Sequence, residues 1–164
     1  MKPQAIPTVY FAFESDFVDS LRCIPMVVRY KLDTCGLKLK LPEWARLSRT
    51  EKAELAQLPC YTPAQIAAYR QYLLETVQQR CHQTVSDLPA VDAAWDDLGA
   101  VPAEVQQRAL AWECPPLTLA QWRGLNVLQR FALVKLSRSG HEGQNFPRAL
   151  REFEVRPRAM PCAV

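Results

Sequence analysis

The hydrophobic positions of this chain fall into a pattern that occurs twice. The first copy is Leu39-x-Leu41-Pro42-Glu43-Trp44-x-x-Leu47-Ser48-x-x-Glu51-Lys52-x-x-Leu55. The second is Leu117-x-Leu119-Ala120-Gln121-Trp122-x-x-Leu125-Asn126-x-x-Gln129-Arg130-x-x-Leu133. The match needs no gap and extends upstream, where Val27 and Leu32 answer Val105 and Leu110. Alternation in Leu-x-Leu predicts a short extended link with both leucines on one side. Trp44 with Leu47, and Trp122 with Leu125, are three apart and share a helical face. Ser48 with Glu51, and Asn126 with Gln129, have the spacing of a reciprocal N-terminal cap. Each unit, about 27–58 and 105–136, therefore reads as helix, extended link, helical turn with a buried Trp, and capped helix. On this reading Trp44, Leu47, Trp122 and Leu125 are core residues of a duplicated structural unit. A groove that binds a partner peptide is the functional alternative.

The rest of the chain adds helices around these units. Val9–Phe13 is an aromatic run that suits a strand or an extended arm. Ser15 and Asp16 are placed to cap a helix carrying Phe17, Val18 and Leu21. Ile24, Val28, Leu32 and Cys35 form a helical stripe that opens near Pro25 and closes at Gly36; a strand through Met26–Tyr30 is the rival reading. Thr62-Pro63-x-Gln65 opens a helix with Ile66, Tyr69, Leu73 and Val77 on one face, running to about Arg80. Residues 83–100 read as a long link anchored by Trp95. Pro102 opens a helix over Ala103–Trp112, with Val105, Ala109 and Trp112 inward, which Pro115-Pro116 stops. Leu125, Leu128, Ala132 and Leu136 line the capped helix of the second unit. Asn145 is placed to cap a last helix through Phe146, Leu150 and Phe153. The expected fold is all-α: a compact bundle of about six or seven short helices. It forms one domain over 9–154, between a flexible tail at 1–8 and a disordered tail at 155–164.

Composition narrows the function. At 164 residues the chain is long enough to bury a core without staples. No apolar run spans a membrane and Met1–Pro7 is no signal peptide, so a cytoplasmic protein is expected. Six cysteines are scattered singly, without a C-x-x-C, which argues for buried thiols rather than a metal site. Asp87, Asp92, Asp96 and Asp97 lack the ligand spacing and glycine of a calcium loop. There is no phosphate-binding glycine loop, no G-x-S-x-G and no H-E-x-x-H. The only histidines are His82 and His141. Cys81 beside His82 makes a poor dyad, because helical neighbours point in different directions. No enzymatic activity is therefore expected.

Net charge is +3. From Leu117 onward there are eight Lys or Arg against three Glu, so the C-terminal third is the electropositive end. That suits an acidic partner or an anionic ligand. The polar loop Ser137–Pro147, with Gly140, His141 and Gly143, is the stretch that most calls for a function.

The run Asp16–Asp33, Leu39-Lys40-Leu41-Pro42-Glu43-Trp44, Trp122, Gln129–Arg138, and His141 with Asn145-Phe146 resemble the nitrate reductase-associated protein family. The resemblance covers Tyr10 to Phe153. It implies a cytoplasmic, non-enzymatic accessory or maturation factor for assimilatory nitrate reductase, with the reductase catalytic subunit as partner. It implies no stably bound cofactor, only transient contact with the molybdenum cofactor. That cofactor carries phosphate, and Arg138, His141, Asn145, Arg148 and Arg151 would form one basic patch for it or for an acidic surface on the reductase. A regulator that binds nucleic acid and an enzyme of molybdopterin metabolism are the competing readings. The first would bind promoter DNA in a strongly salt-dependent way; the second would turn over a pterin precursor.

Overall fold

Four polar side chains set where helices begin. Ser48, Thr62, Thr118 and Asn126 each accept a hydrogen bond from the backbone N–H three residues on. Glu51, Gln65, Gln121 and Gln129 answer by accepting from the N–H of the capping residue. The computed structural model describes residues 10–140 and 143–155. Among them the chain forms nine α-helices and one two-stranded antiparallel sheet, an all-α fold. Internal contacts gather into two compact units that divide between Val91 and Asp92, and each is taken by itself.

The first unit holds α1 (Ser15–Val18), α2 (Met26–Cys35), α3 (Leu41–Arg46), α4 (Arg49–Gln57) and α5 (Pro63–Cys81). Strand β1 (Leu37–Lys38) pairs with β2 (Ser86–Asp87). Trp44 is fully buried and its Nε1 donates to the Leu21 carbonyl at 2.7 Å. The buried Lys52 lies over its ring at 5.5 Å. The buried Glu14 carboxylate accepts from Phe11 N at 3.1 Å and from Met26 N, the first residue of α2, at 3.0 Å. A carboxylate there satisfies an orphan donor and suits the positive end of the helix. Gly36, at φ 73, closes α2 in the left-handed conformation that glycine adopts without strain.

The second unit holds α6 (Ala103–Ala111), α7 (Leu119–Gly124), α8 (Val127–Arg138) and α9 (Asn145–Glu152). Trp122 is fully buried and its Nε1 donates to the Asp97 carbonyl at 2.8 Å. Trp95 meets Phe131 edge-on at 4.9 Å, which fixes the link before α6. Helix α8 buries Leu128, Phe131, Ala132, Leu133, Val134 and Leu136 against α6, α9 and the 3-10 turn at Ala94–Asp96. At the spacing that separates Trp44 from Trp122, α3 and α7 begin and end at matching positions, and so do the starts of α4 and α8. Duplication itself stays a reading of the sequence.

Several local expectations are corrected. Leu41 and Leu119 do not end an extended link: each is the first residue of its short helix. Leu39 and Leu117 are buried while Leu41 is 53% exposed, because helix entry turns the second leucine away from the first. Trp112 does not face inward. α6 ends at Ala111, Glu113 takes φ 54, and Cys114 N donates back to Ala109 O at 2.8 Å. This six-to-one closure swings Trp112 off the buried stripe, and it is 43% exposed. The aromatic run near the N-terminus is no strand; Ala12–Glu14 is a 3-10 turn with Phe11 stacked on Phe13 at 5.2 Å. Glu14, rather than Ser15 or Asp16, stands at the start of α1. Met26–Tyr30 is helix, not strand. Asn145 does not cap α9: Gln144 holds the cap position, without a side-chain bond, and Asn145 is the first helical residue. Val155, where the C-terminal tail was expected to start, is buried and its N donates to Leu150 O at 3.1 Å.

Candidate functional site

The described residues of the expected basic patch stand at the end of α8 and along α9. Arg138, the last residue of α8, does not present a bare fork. Its Nε and Nη2 donate to the two Glu104 oxygens, each at 2.9 Å, and Nη2 lies 3.7 Å from Asp92 Oδ2. Two carboxylates therefore offset its charge. His141 lies outside the described residues. Asn145 Oδ1 accepts weakly from Arg148 Nη1 at 3.5 Å. Arg148 and Arg151 are both exposed, and three residues apart on a helix they share a face. Phe146, Ala149 and Leu150 pack the opposite side.

Arg108, on α6, is a residue that pattern reading missed. Its Nη2 donates to Ser137 O at 2.7 Å and to Ser139 O at 3.4 Å, and its Nε to Ser137 O at 3.3 Å. These carbonyls belong to the end of α8, where backbone acceptors lack partners and the helix dipole is negative. A Cβ at Gly143 would meet both Arg108 Nη1 and Ser139 O at 3.3 Å, so glycine lets the chain pass close to this clamp.

A second group of polar residues lies beside Trp44. Pro42, Glu43 and Arg46 on α3, with Cys81 and Gln83 at the end of α5, line a cavity of about 120 Å³. Glu43 is a buried carboxylate: its Oε2 accepts from Lys40 N at 2.8 Å. Cys81 Sγ contacts the Glu43 carbonyl at 3.8 Å. Arg46 and Gln83 are exposed on the rim.

Electrostatics single out one further cluster. Lys31, buried on α2, donates to Ala56 O at 2.7 Å and Leu58 O at 2.6 Å at the end of α4, with the Tyr69 ring 5.8 Å away. Burial pushes its amine down to about 8. Burial likewise pushes the Cys60 thiol up to about 12, raises Cys35, and holds Tyr69 well above the ordinary phenol value. Such thiols are protonated and inert rather than nucleophilic. The five described cysteines are free. Among the described residues no group of three His, Cys, Asp or Glu could hold a metal ion, and no helix is long and apolar enough to cross a membrane.

A family model described as conserved nitrate reductase-associated protein matches residues 10–153. No curated protein matches the chain, and no solved structure does.

Proposed function

The chain belongs to the conserved nitrate reductase-associated protein family, and from that premise we propose that it is a non-enzymatic accessory factor of assimilatory nitrate reductase, acting in the cytoplasm on maturation of the catalytic subunit. The family match across nearly the whole described body carries this reading. The electropositive C-terminal third supports it, since an acidic partner surface or an anionic group would be held there.

The exposed face of α9 is the part of the expected patch best suited to that contact. Arg148 and Arg151 project from it, and a guanidinium fork grips phosphate or carboxylate bidentately. Arg138 is less suited, because Glu104 already fills its fork. Phosphate on the molybdenum cofactor fits the α9 pair as a surface contact, so the proposed handling of cofactor is transient. Deleting the gene and growing the strain on nitrate or on ammonium tests the reading. Loss of reductase activity and of growth on nitrate alone is the expected outcome; equal activity in mutant and parent would remove it.

A further inference from the structure

Glu43, which lines the cavity of the first unit, has a positional counterpart in the second unit, Gln121. In that unit Gln121 uses its Oε1 to accept from Thr118 N at 2.9 Å, and its Nε2 donates to the backbone carbonyl of Val155 at 2.7 Å. The same side chain thus caps α7 with one atom and holds an incoming stretch of backbone with the other. Val155 follows α9, the helix after the capped one.

In the first unit the matching side chain is Glu43. One oxygen does the same capping work, accepting from Lys40 N at 2.8 Å. The other, Oε1, makes no hydrogen bond and belongs to a residue that lines the cavity. Substituting carboxylate for carboxamide reverses the demand: Gln121 Nε2 donates to a carbonyl, whereas Glu43 Oε1 requires a donor. Oε1 is not sealed in the core; it opens onto the cavity, where an incoming donor can replace water. Arg46 and Gln83 line the same cavity from its exposed rim, so donors stand within reach of the Glu43 acceptor. Gly124 stands where the second unit would need its own Arg46, so the donor-and-acceptor pairing is peculiar to the first unit. A volume of about 120 Å³ admits a few heavy atoms, not a nucleotide or a pterin.

We propose that this cavity binds the backbone of an extended peptide segment of the reductase, with one peptide N–H donating to Glu43 Oε1 and a neighbouring carbonyl accepting from Arg46 or Gln83. A peptide unit is the small neutral group that offers donor and acceptor side by side. A simple oxyanion would satisfy Arg46 but meet the Glu43 carboxylate as a like charge. The proposal rests on the accessory-factor reading for the identity of the partner.

The test uses the full chain and an array of overlapping synthetic peptides that covers the reductase sequence. Wild type should capture at least one peptide. Glu43→Gln keeps the α3 cap, since a carboxamide oxygen can still accept from Lys40 N, and it should weaken capture roughly ten-fold, as loss of one charge-assisted hydrogen bond does. Arg46→Ala should weaken it by a similar factor. Both should melt at the wild-type temperature. Methylating the contacted peptide nitrogen should abolish binding to wild type. Capture of no peptide by wild type, or equal capture by wild type and both variants, would overturn the proposal. Co-purification with intact reductase separates the two readings. If both variants co-purify as wild type does and capture is unchanged, the cavity role fails while the association stands. If wild type fails to co-purify yet its peptide capture depends on Glu43, the accessory reading fails while the cavity role stands.

Discussion

In the first unit Lys31, on α2, donates to the carbonyls of Ala56 and Leu58 at the end of α4; in the second Arg108, on α6, donates to those of Ser137 and Ser139 at the end of α8. Both units thus bring a cation from their first long helix to the negative end of their capped helix. The positions are not equivalent, however. At the spacing between Trp44 and Trp122, Lys31 is answered by Ala109 and Arg108 by Tyr30. Helix α4 has nine residues and α8 has twelve, so the carbonyls needing partners lie at different heights along the first helix. A short ammonium stem reaches the nearer set from within the core, while the longer guanidinium spans to the farther set from a half-buried site. The requirement is set by helix ends, and each unit meets it with whichever neighbouring position has the reach.

The starts of the helices behave differently. Caps at Ser48 and Asn126 hold the same place in both units because a cap acts over three residues of its own chain, with no partner helix to fit. Facing surfaces differ again. Helix α2 buries Val28 and Leu32, whereas α6 puts Gln106 and Leu110 there. Gln106 bonds both backbone groups of Leu117, and Leu110 is 78% exposed.

Removing either indole should break the comparison most severely. Trp44→Ala or Trp122→Ala is expected to cost about 3–5 kcal/mol, measured by urea unfolding. Hydrogen exchange should show the lost protection in the substituted residue's own unit; a loss under ~1 kcal/mol would mean that neither Trp is a pillar of its core. Lys31→Met comes next. It keeps the apolar stem but leaves two carbonyls without their donor, and a destabilisation of about 1–3 kcal/mol is expected. Arg108→Met should cost less, because Arg108 is itself half-buried and water can reach the place its guanidinium leaves, whereas Lys31 is buried.

Alkaline pH sharpens the contrast, since this buried titrating cluster belongs to the first unit. Cys60 is raised in the folded state, so the stability it contributes is fully present below its ordinary value of 9.0 and is lost as pH climbs toward about 12. Lys31 is lowered to about 8, so its contribution has the opposite sign and grows as pH rises from there toward 10.5. Stability measured across this range should fall above pH 9 less steeply in Cys60→Ala than in wild type; identical slopes would contradict the assignment. The caps should give a smaller effect, about 1 kcal/mol for Ser48→Ala or Asn126→Ala. Arg138→Ala should be smallest, roughly 0.2–1 kcal/mol, since its pair with Glu104 is largely at the surface.

Much of this architecture was legible in the sequence, and the physical reason lies in range. Ser48, Thr62 and Asn126 announce helix starts within three residues, and Gly36 announces a helix end. The stripe Tyr69, Leu73, Val77 announces a buried face. Illegible were contacts that depend on how elements meet. Nothing local marks Glu14 as the group that receives Met26 N, Lys31 as a helix-end cap, or Glu104 as the partner that occupies Arg138. Trp112 misled because its place in the stripe is overridden by a left-handed residue, Glu113, that the sequence does not signal as glycine would. Within the candidate site, Arg148 and Arg151 were readable as cations within two turns of the start of the last helix; their exposure was not. The cavity at Glu43, Arg46 and Gln83 was not, because it joins the start of one helix to the end of another.

Maturation of nitrate reductase is the role proposed for this chain. The most direct measurement is the molybdenum content and specific activity of reductase purified from a strain lacking the gene, beside the same strain carrying it again. For a maturation factor, reductase polypeptide should accumulate normally in both, while molybdenum per polypeptide and activity fall together in the deletion strain and return with the gene. Reductase that is fully loaded and fully active without the gene would contradict that role.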